Sequence, residues 1–128
     1  MKVEPMIAVR DVEASSRWYQ QLFGCKSGHG GPDYEQLVNQ DGELLLQLHP
    51  WHADEHANMG DPEKAPHGYG VLLWFRTPDF EQIIERARTM GVEIVEEPNT
   101  NPLAGHREAA LLDPDGYTIS VCTPYDSG

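Results

Sequence analysis

The feature that most constrains this chain is that it says the same thing twice. Asp11 and Gly24 bracket one amphipathic stretch, and Asp79 and Gly91 bracket another of nearly the same length. An aspartate before a helix caps its first turn, and a glycine after it takes the left-handed conformation that ends it. Each stretch follows a short apolar segment, Met6 to Val9 and Val71 to Phe75. Each is followed by three further strand-like segments, the last two joined by a turn containing Asp41-Gly42 or Asp115-Gly116. A repeat at about half the chain length predicts two like βαβββ modules, module 1 over about 1–50 and module 2 over about 68–128. A module of that size has too little interior to hold a core alone, so the 128 residues are expected to form one α+β domain.

The hairpin of module 2 is the most legible piece. His106, Glu108 and Ala110 alternate with Ala109 and Leu111, and Tyr117, Ile119 and Val121 alternate with Thr118, Ser120 and Cys122. The Asp113-Pro114-Asp115-Gly116 turn lies between them, with proline presetting φ and glycine taking positive φ. One sheet face is therefore apolar, and the other carries His106, Glu108, Thr118 and Ser120. Arg107 falls out of phase with His106 and Glu108, and is expected to pair with a surface acid.

In module 1, the helix over Val12 to Phe23 is expected to bury Val12, Trp18, Tyr19, Leu22 and Phe23. In module 2 the helix runs from Phe80 to Met90, with Phe80, Ile83, Ile84, Ala87 and Met90 inward. The strand over Glu43 to His49 sets Leu44, Leu46 and Leu48 against Glu43, Leu45, Gln47 and His49. Residues 25–31 read as an edge strand or loop, residues 92–96 as a strand and residues 97–105 as a loop. A linker over about 51–67 carries Trp51, His52, His56 and His67, with one helical turn expected over 53–58.

Nine Lys+Arg against 21 Asp+Glu give a formal net charge of −12. Such a surface repels phosphate backbones, which argues against nucleic acid as a partner, and an acidic cleft would favour a cationic ligand. No apolar run is long enough to span a bilayer and no secretory signal is evident, so a cytoplasmic protein without a membrane partner is expected. Cys25 and Cys122 form no CxxC motif, and Cys122 reads as a small core residue. Nucleophile and phosphate-loop motifs are absent.

The ordered set MIAVRDVEASSRWYQQLFG, GYGVLLWFRTPDFEQIIERARTMG and HREAALLDPDGY resembles the vicinal-oxygen-chelate superfamily. That superfamily contains glyoxalase I, bleomycin-resistance proteins, fosfomycin-resistance enzymes and extradiol dioxygenases. The resemblance implies a curved, cup-shaped eight-stranded sheet with helices outside, commonly assembled as a homodimer. In its metal-dependent branch, ligands stand on the first and last strands of both modules, near Glu4, Gln47, Gly70 and Ser120 here. Glycine offers no ligand and serine a poor one, so the metal-free, bleomycin-resistance-like branch fits better. The expected function is therefore binding of a small aromatic or cationic molecule by Trp51, Trp74, Gln47, His49, His106, Glu108 and Ser120. Trp74 shares strand parity with Gly70, where a missing side chain leaves room. No cofactor is favoured, and catalytic residues are not assigned. The alternative is a lyase or dioxygenase acting on vicinal oxygens. It would use a divalent Ni, Zn, Mn or Fe held by His49, His106 and Glu108, with Glu4 and Gln47.

Overall fold

The computed structural model describes residues 2–51, 59–63, 68, 71–100 and 105–124. The expected helical turn over 53–58, His52, His56, His67, Tyr69 and Gly70 lie outside these residues. The chain divides into two compact units, Met1–Ala65 and Pro66–Gly128. Each is a βαβββ module with its own four-stranded sheet, and together they make the α+β repeat that the sequence predicts. Among the described residues, no helix is long and apolar enough to cross a membrane.

The first unit runs β1 (Met6–Val9), α1 (Val12–Phe23), β2 (Lys26–Ser27), β3 (Glu35–Val38) and β4 (Leu44–Pro50). Its strand order is β1-β4-β3-β2, with β1 parallel to β4 and the other neighbours antiparallel. α1 begins where Asp11 Oδ1 accepts from the Ala14 amide at 2.9 Å, and it ends at Gly24 with φ 71°. The buried side of α1 is Val12, Ser15, Ser16, Tyr19 and Leu22. Trp18 and Phe23, expected inside, are only half-buried and flank Tyr19 by edge and stacked ring contacts. Two serines take the inner positions because one of them has a polar partner there, described below. Ile7, Val9, Leu37, Leu46 and Leu48 supply the apolar sheet face.

The second unit runs β5 (Leu72–Arg76), α2 (Phe80–Met90), β6 (Ile94–Thr100), β7 (Arg107–Leu112) and β8 (Thr118–Cys122), in sheet order β5-β8-β7-β6. Phe80, Ile83, Ile84 and Ala87 are buried as the periodicity predicts. Thr77 and Asp79 start this helix differently from Asp11. Asp79 makes no side-chain cap, and Thr77 Oγ1 accepts from the Asp79 amide at 3.0 Å. The hairpin turn is held by Asp113, 3% exposed, whose Oδ1 accepts from the amides of Asp115 (2.9 Å) and Tyr117 (2.8 Å). β6 extends to Thr100 where a loop was expected from residue 97. Register shifts between Ile94 and Glu96 and between Glu96 and Asn99 let Pro98 sit in a strand without a missing donor.

Candidate functional site

Register assigns the faces of the second sheet. Trp74 pairs with Ser120 and Arg76 with Cys122, and across the hairpin Ala110 pairs with Ser120 and Glu108 with Cys122. Cross-strand partners point to the same side. One face therefore carries Leu72, Trp74, Arg76, Glu108, Ala110, Ser120 and Cys122. The opposite face carries Leu73, Ala109, Leu111, Ile119 and Val121 with Arg107. Arg107 is the residue that joins this second face to α2: its Nε lies 3.0 Å from Glu81 Oε1 and its guanidinium 5.5 Å from the Phe80 ring centroid. The surface ion pair expected of Arg107 is thus present, on the helix side.

Four of the candidate residues meet on the face away from α2. Trp74 is 43% exposed. The His106 ring stands edge-on to the Trp74 indole at 5.9 Å, and the Arg76 guanidinium lies 5.8 Å from its centroid. His106 Nε2 is 3.2 Å from Glu108 Oε2. A carboxylate only accepts, so Nε2 carries the proton whether or not the ring is charged. Arg76 also donates from Nη1 to Thr123 O at 3.0 Å. Ser120 and Cys122 lie beneath, both buried, and Ser120 Oγ donates weakly to Ala109 O at 3.5 Å. Burial pushes the Cys122 thiol up in pKa, against the Arg76 charge and a hydrogen bond from Trp74. A raised pKa favours the neutral thiol. An indole face bordered by a cation and an imidazole–carboxylate pair can stack a planar group and read its polar edge.

Gln47 and His49 lie in the first unit, on the face away from α1, with Met6, Ala8 and Gln36 as cross-strand partners. Gln47 is occupied at both ends: Oε1 accepts a short bond from the Tyr34 hydroxyl, and Nε2 donates to Glu4 O at 3.0 Å. Gln36 Nε2 in turn donates to Tyr34 Oη at 3.0 Å. His49 is buried, and its Nδ1 donates to Pro50 O at 2.7 Å. Trp51 is half-buried just beyond β4.

The most elaborate polar centre of this unit was not among the expected site residues. Glu35 is 3% exposed and shares its face with Leu37, Leu46 and Leu48, toward α1. Its Oε2 accepts from Ser16 Oγ (2.6 Å) and Ser27 Oγ (2.7 Å). Its Oε1 accepts from the amides of His29 (3.1 Å), Gly30 (2.8 Å) and Gln36 (2.9 Å). Burial alone would raise the carboxyl pKa, but the Ser16, Ser27, Gly30 and His29 donors outweigh it and hold it below the ordinary 4.5. The available signal was parity: an acid in phase with leucines, next to a glycine-rich segment that needs an acceptor.

The metal positions implied by the resemblance can be tested on donor chemistry. Of those positions, Gln47 offers an amide already bonded at both ends and Ser120 a weakly bonded hydroxyl, and Gly70 lies outside the described residues. A committed amide and a hydroxyl are poor donors for a transition metal, so these residues do not fit one. Glu4 lies just before β1 and is exposed, with its carbonyl committed to Gln47. In the alternative set, His106 and Glu108 bond each other rather than a common third point. Among the described residues, no group of three or more His, Cys, Asp or Glu is placed to hold a metal ion.

The family model described as "Glyoxalase/Bleomycin resistance protein/Dioxygenase superfamily" matches residues 3–121. No curated protein matches the sequence significantly. Solved structures share the fold at low identity. A protein of unknown function from Agrobacterium tumefaciens aligns at TM-score 0.77 and 22% identity, covering 97% of this chain and 94% of that one. A glyoxalase/bleomycin resistance protein/dioxygenase family enzyme from Burkholderia phytofirmans gives 0.74 and 21%, over 92% and 94%. A glyoxalase-related enzyme from Fulvimarina pelagi gives 0.74 and 19%, over 97% and 88%. With its two βαβββ units and a family match over nearly its whole length, the chain belongs to the glyoxalase/bleomycin resistance protein/dioxygenase superfamily.

Proposed function

We propose that this protein binds a small aromatic or cationic molecule without a metal, in the cup of a homodimer, as the bleomycin-resistance-like branch of its superfamily does. The observation that carries the reading is the half-exposed Trp74 indole, bordered by Arg76 and His106, with Glu108 bonded to His106. The ring offers a stacking surface and Glu108 a carboxylate that attracts positive charge, and the overall charge of −12 concentrates cations near the protein. The protein's work is then recognition: stacking on the indole, and exclusion of water from the polar edge of the ligand.

Fluorescence titration against a panel of aromatic cations tests this, with Trp74→Ala as the control. Truncating a central aromatic anchor is expected to weaken binding of any hit about tenfold or more. Unchanged affinity would reject this pocket. Sedimentation of the untagged protein tests the dimer, and a monomer at all concentrations would reject it.

A second reading, a metal-dependent lyase or dioxygenase, draws on one observation. His106 donates a hydrogen bond from Nε2 to Glu108, the arrangement by which metal-bound histidines are commonly oriented. Its test is replacement of His49 and Glu108, which should abolish metal retention and turnover together. Turnover that survives both changes would reject it.

A further inference from the structure

The face that carries Trp74 is a row with opposite charges at its two ends, and all of it lies within the second unit. Arg76 on β5, Cys122 on β8 and Glu108 on β7 are cross-strand partners in succession. Their side chains therefore leave the sheet on the same side. Two strand spacings separate Arg76 from Glu108, about 10 Å between backbones. The neighbouring rung is Trp74, Ser120 and Ala110. Its two inner members, like Cys122, are small and buried, so the indole is the large group of this face. It borders both ends of the charged row. The Arg76 guanidinium lies 5.8 Å from the indole, and the His106 ring that bonds Glu108 lies 5.9 Å from it.

Each charge is held by its own anchor. Arg76 Nη1 donates to Thr123 O at 3.0 Å, and Glu108 Oε2 lies 3.2 Å from His106 Nε2. Side chains fixed in this way lose little further freedom when a ligand arrives. Their signs then decide what the indole can accept. A ring with a single positive charge gains from Glu108 and is opposed by Arg76. A ring with a single negative charge gains from Arg76 and is opposed by Glu108. A ring polarised in both senses is favoured at both ends.

We infer that the ligand of this face is a planar aromatic molecule of dipolar character, with a cationic or N–H-donating end toward Glu108 and an anionic or accepting end toward Arg76. The inference rests on the small-molecule binding reading above and narrows it. Trp74 supplies the stacking surface common to aromatic ligands, and Arg76 discriminates among them.

The test compares benzamidinium, benzoate and 4-amidinobenzoate, which share one ring and differ in the charge at its ends. Affinities are measured by calorimetry on the full chain. The wild-type protein should bind 4-amidinobenzoate about tenfold more tightly than benzamidinium, the worth of one charge-assisted hydrogen bond. Benzoate should be the weakest, since the net charge of −12 repels it. Arg76→Gln should invert the first pair: 4-amidinobenzoate loses about tenfold, and benzamidinium, no longer opposed, binds more tightly. Glu108→Gln should weaken both amidines about tenfold and strengthen benzoate. Equal wild-type affinity for benzamidinium and 4-amidinobenzoate would overturn the dipolar ligand without recourse to any variant. So would a preference for 4-amidinobenzoate that survives Arg76→Gln, or a wild-type protein that binds none of the three. The two readings separate cleanly. Binding that is lost in Trp74→Ala but is equal for the two amidines keeps the binding function and rejects the dipolar ligand. A ranking that follows both charge variants, with no affinity lost in Trp74→Ala, keeps the paired charges and rejects the stacking pocket.

Discussion

The two units share an order of elements and differ in where they keep their polar groups. The first hides a carboxylate, Glu35, on its helix side and surrounds it with five donors. The second leaves its helix side apolar except at the rim, where Arg107 meets an exposed Glu81. On the opposite faces, the first unit has neutral amides and a phenol, and the second has Arg76, His106 and Glu108 around an indole. Duplication of a fold thus copies the scaffold that buries leucines and isoleucines, and leaves the chemistry on each face free to diverge.

The contrast is broken most forcefully at Glu35. Glu35→Ala strands two hydroxyls and backbone amides in a buried place, and should destabilise the protein by about 3 kcal/mol in urea unfolding. A loss below about 0.5 kcal/mol would show the cluster to be incidental. The effect should also depend on pH. A carboxyl whose folded pKa is depressed contributes stability above its unfolded value and loses it as pH falls through the folded value. The gap in stability between wild type and Glu35→Gln should therefore be open at neutral pH and shrink steadily below about pH 4.

Asp113 is the nearest counterpart in the second unit, holding the hairpin turn from a buried position. Asp113→Ala, which strands the Asp115 and Tyr117 amides, should cost about 2 kcal/mol by the same measurement. The reverse order would contradict the asymmetry between the units. The helix starts sharpen the comparison further. Asp11→Ala removes a cap that is present and should cost about 1 kcal/mol, whereas Asp79→Ala removes none. Equal losses would mean that the two starts work alike. The smallest effect is expected at Glu81→Gln, where an exposed ion pair is worth under about 1 kcal/mol and less in salt.

The scaffold was legible because its punctuation is local. Asp11 and Gly24, Asp79 and Gly91, and the Asp113–Gly116 turn act within a few residues of themselves, and strict alternation set Arg107 out of phase with His106 and Glu108. The misreadings share one cause, partners distant in sequence. Ser16 displaced Trp18 and Phe23 from the inside of α1 because it serves Glu35, nineteen positions away. Residues 97–100 read as loop because Pro98 discourages a strand, and only the register shifts against β7 accommodate it. His106, Glu108, Trp74 and Ser120 were placed on one face correctly by parity. Nothing in the sequence singles out the bonds from Gln36 to Tyr34 and from Tyr34 to Gln47, because a hydrogen-bonded row across two strands has no periodicity of its own.

The central claim is that binding here needs no metal. It is tested most directly by titrating benzamidinium into tag-free protein before and after exhaustive chelation of divalent ions. The account predicts measurable binding that is unchanged by chelation and weakened in Trp74→Ala. Affinity that vanishes on chelation and returns with one equivalent of zinc, nickel, manganese or iron would contradict it.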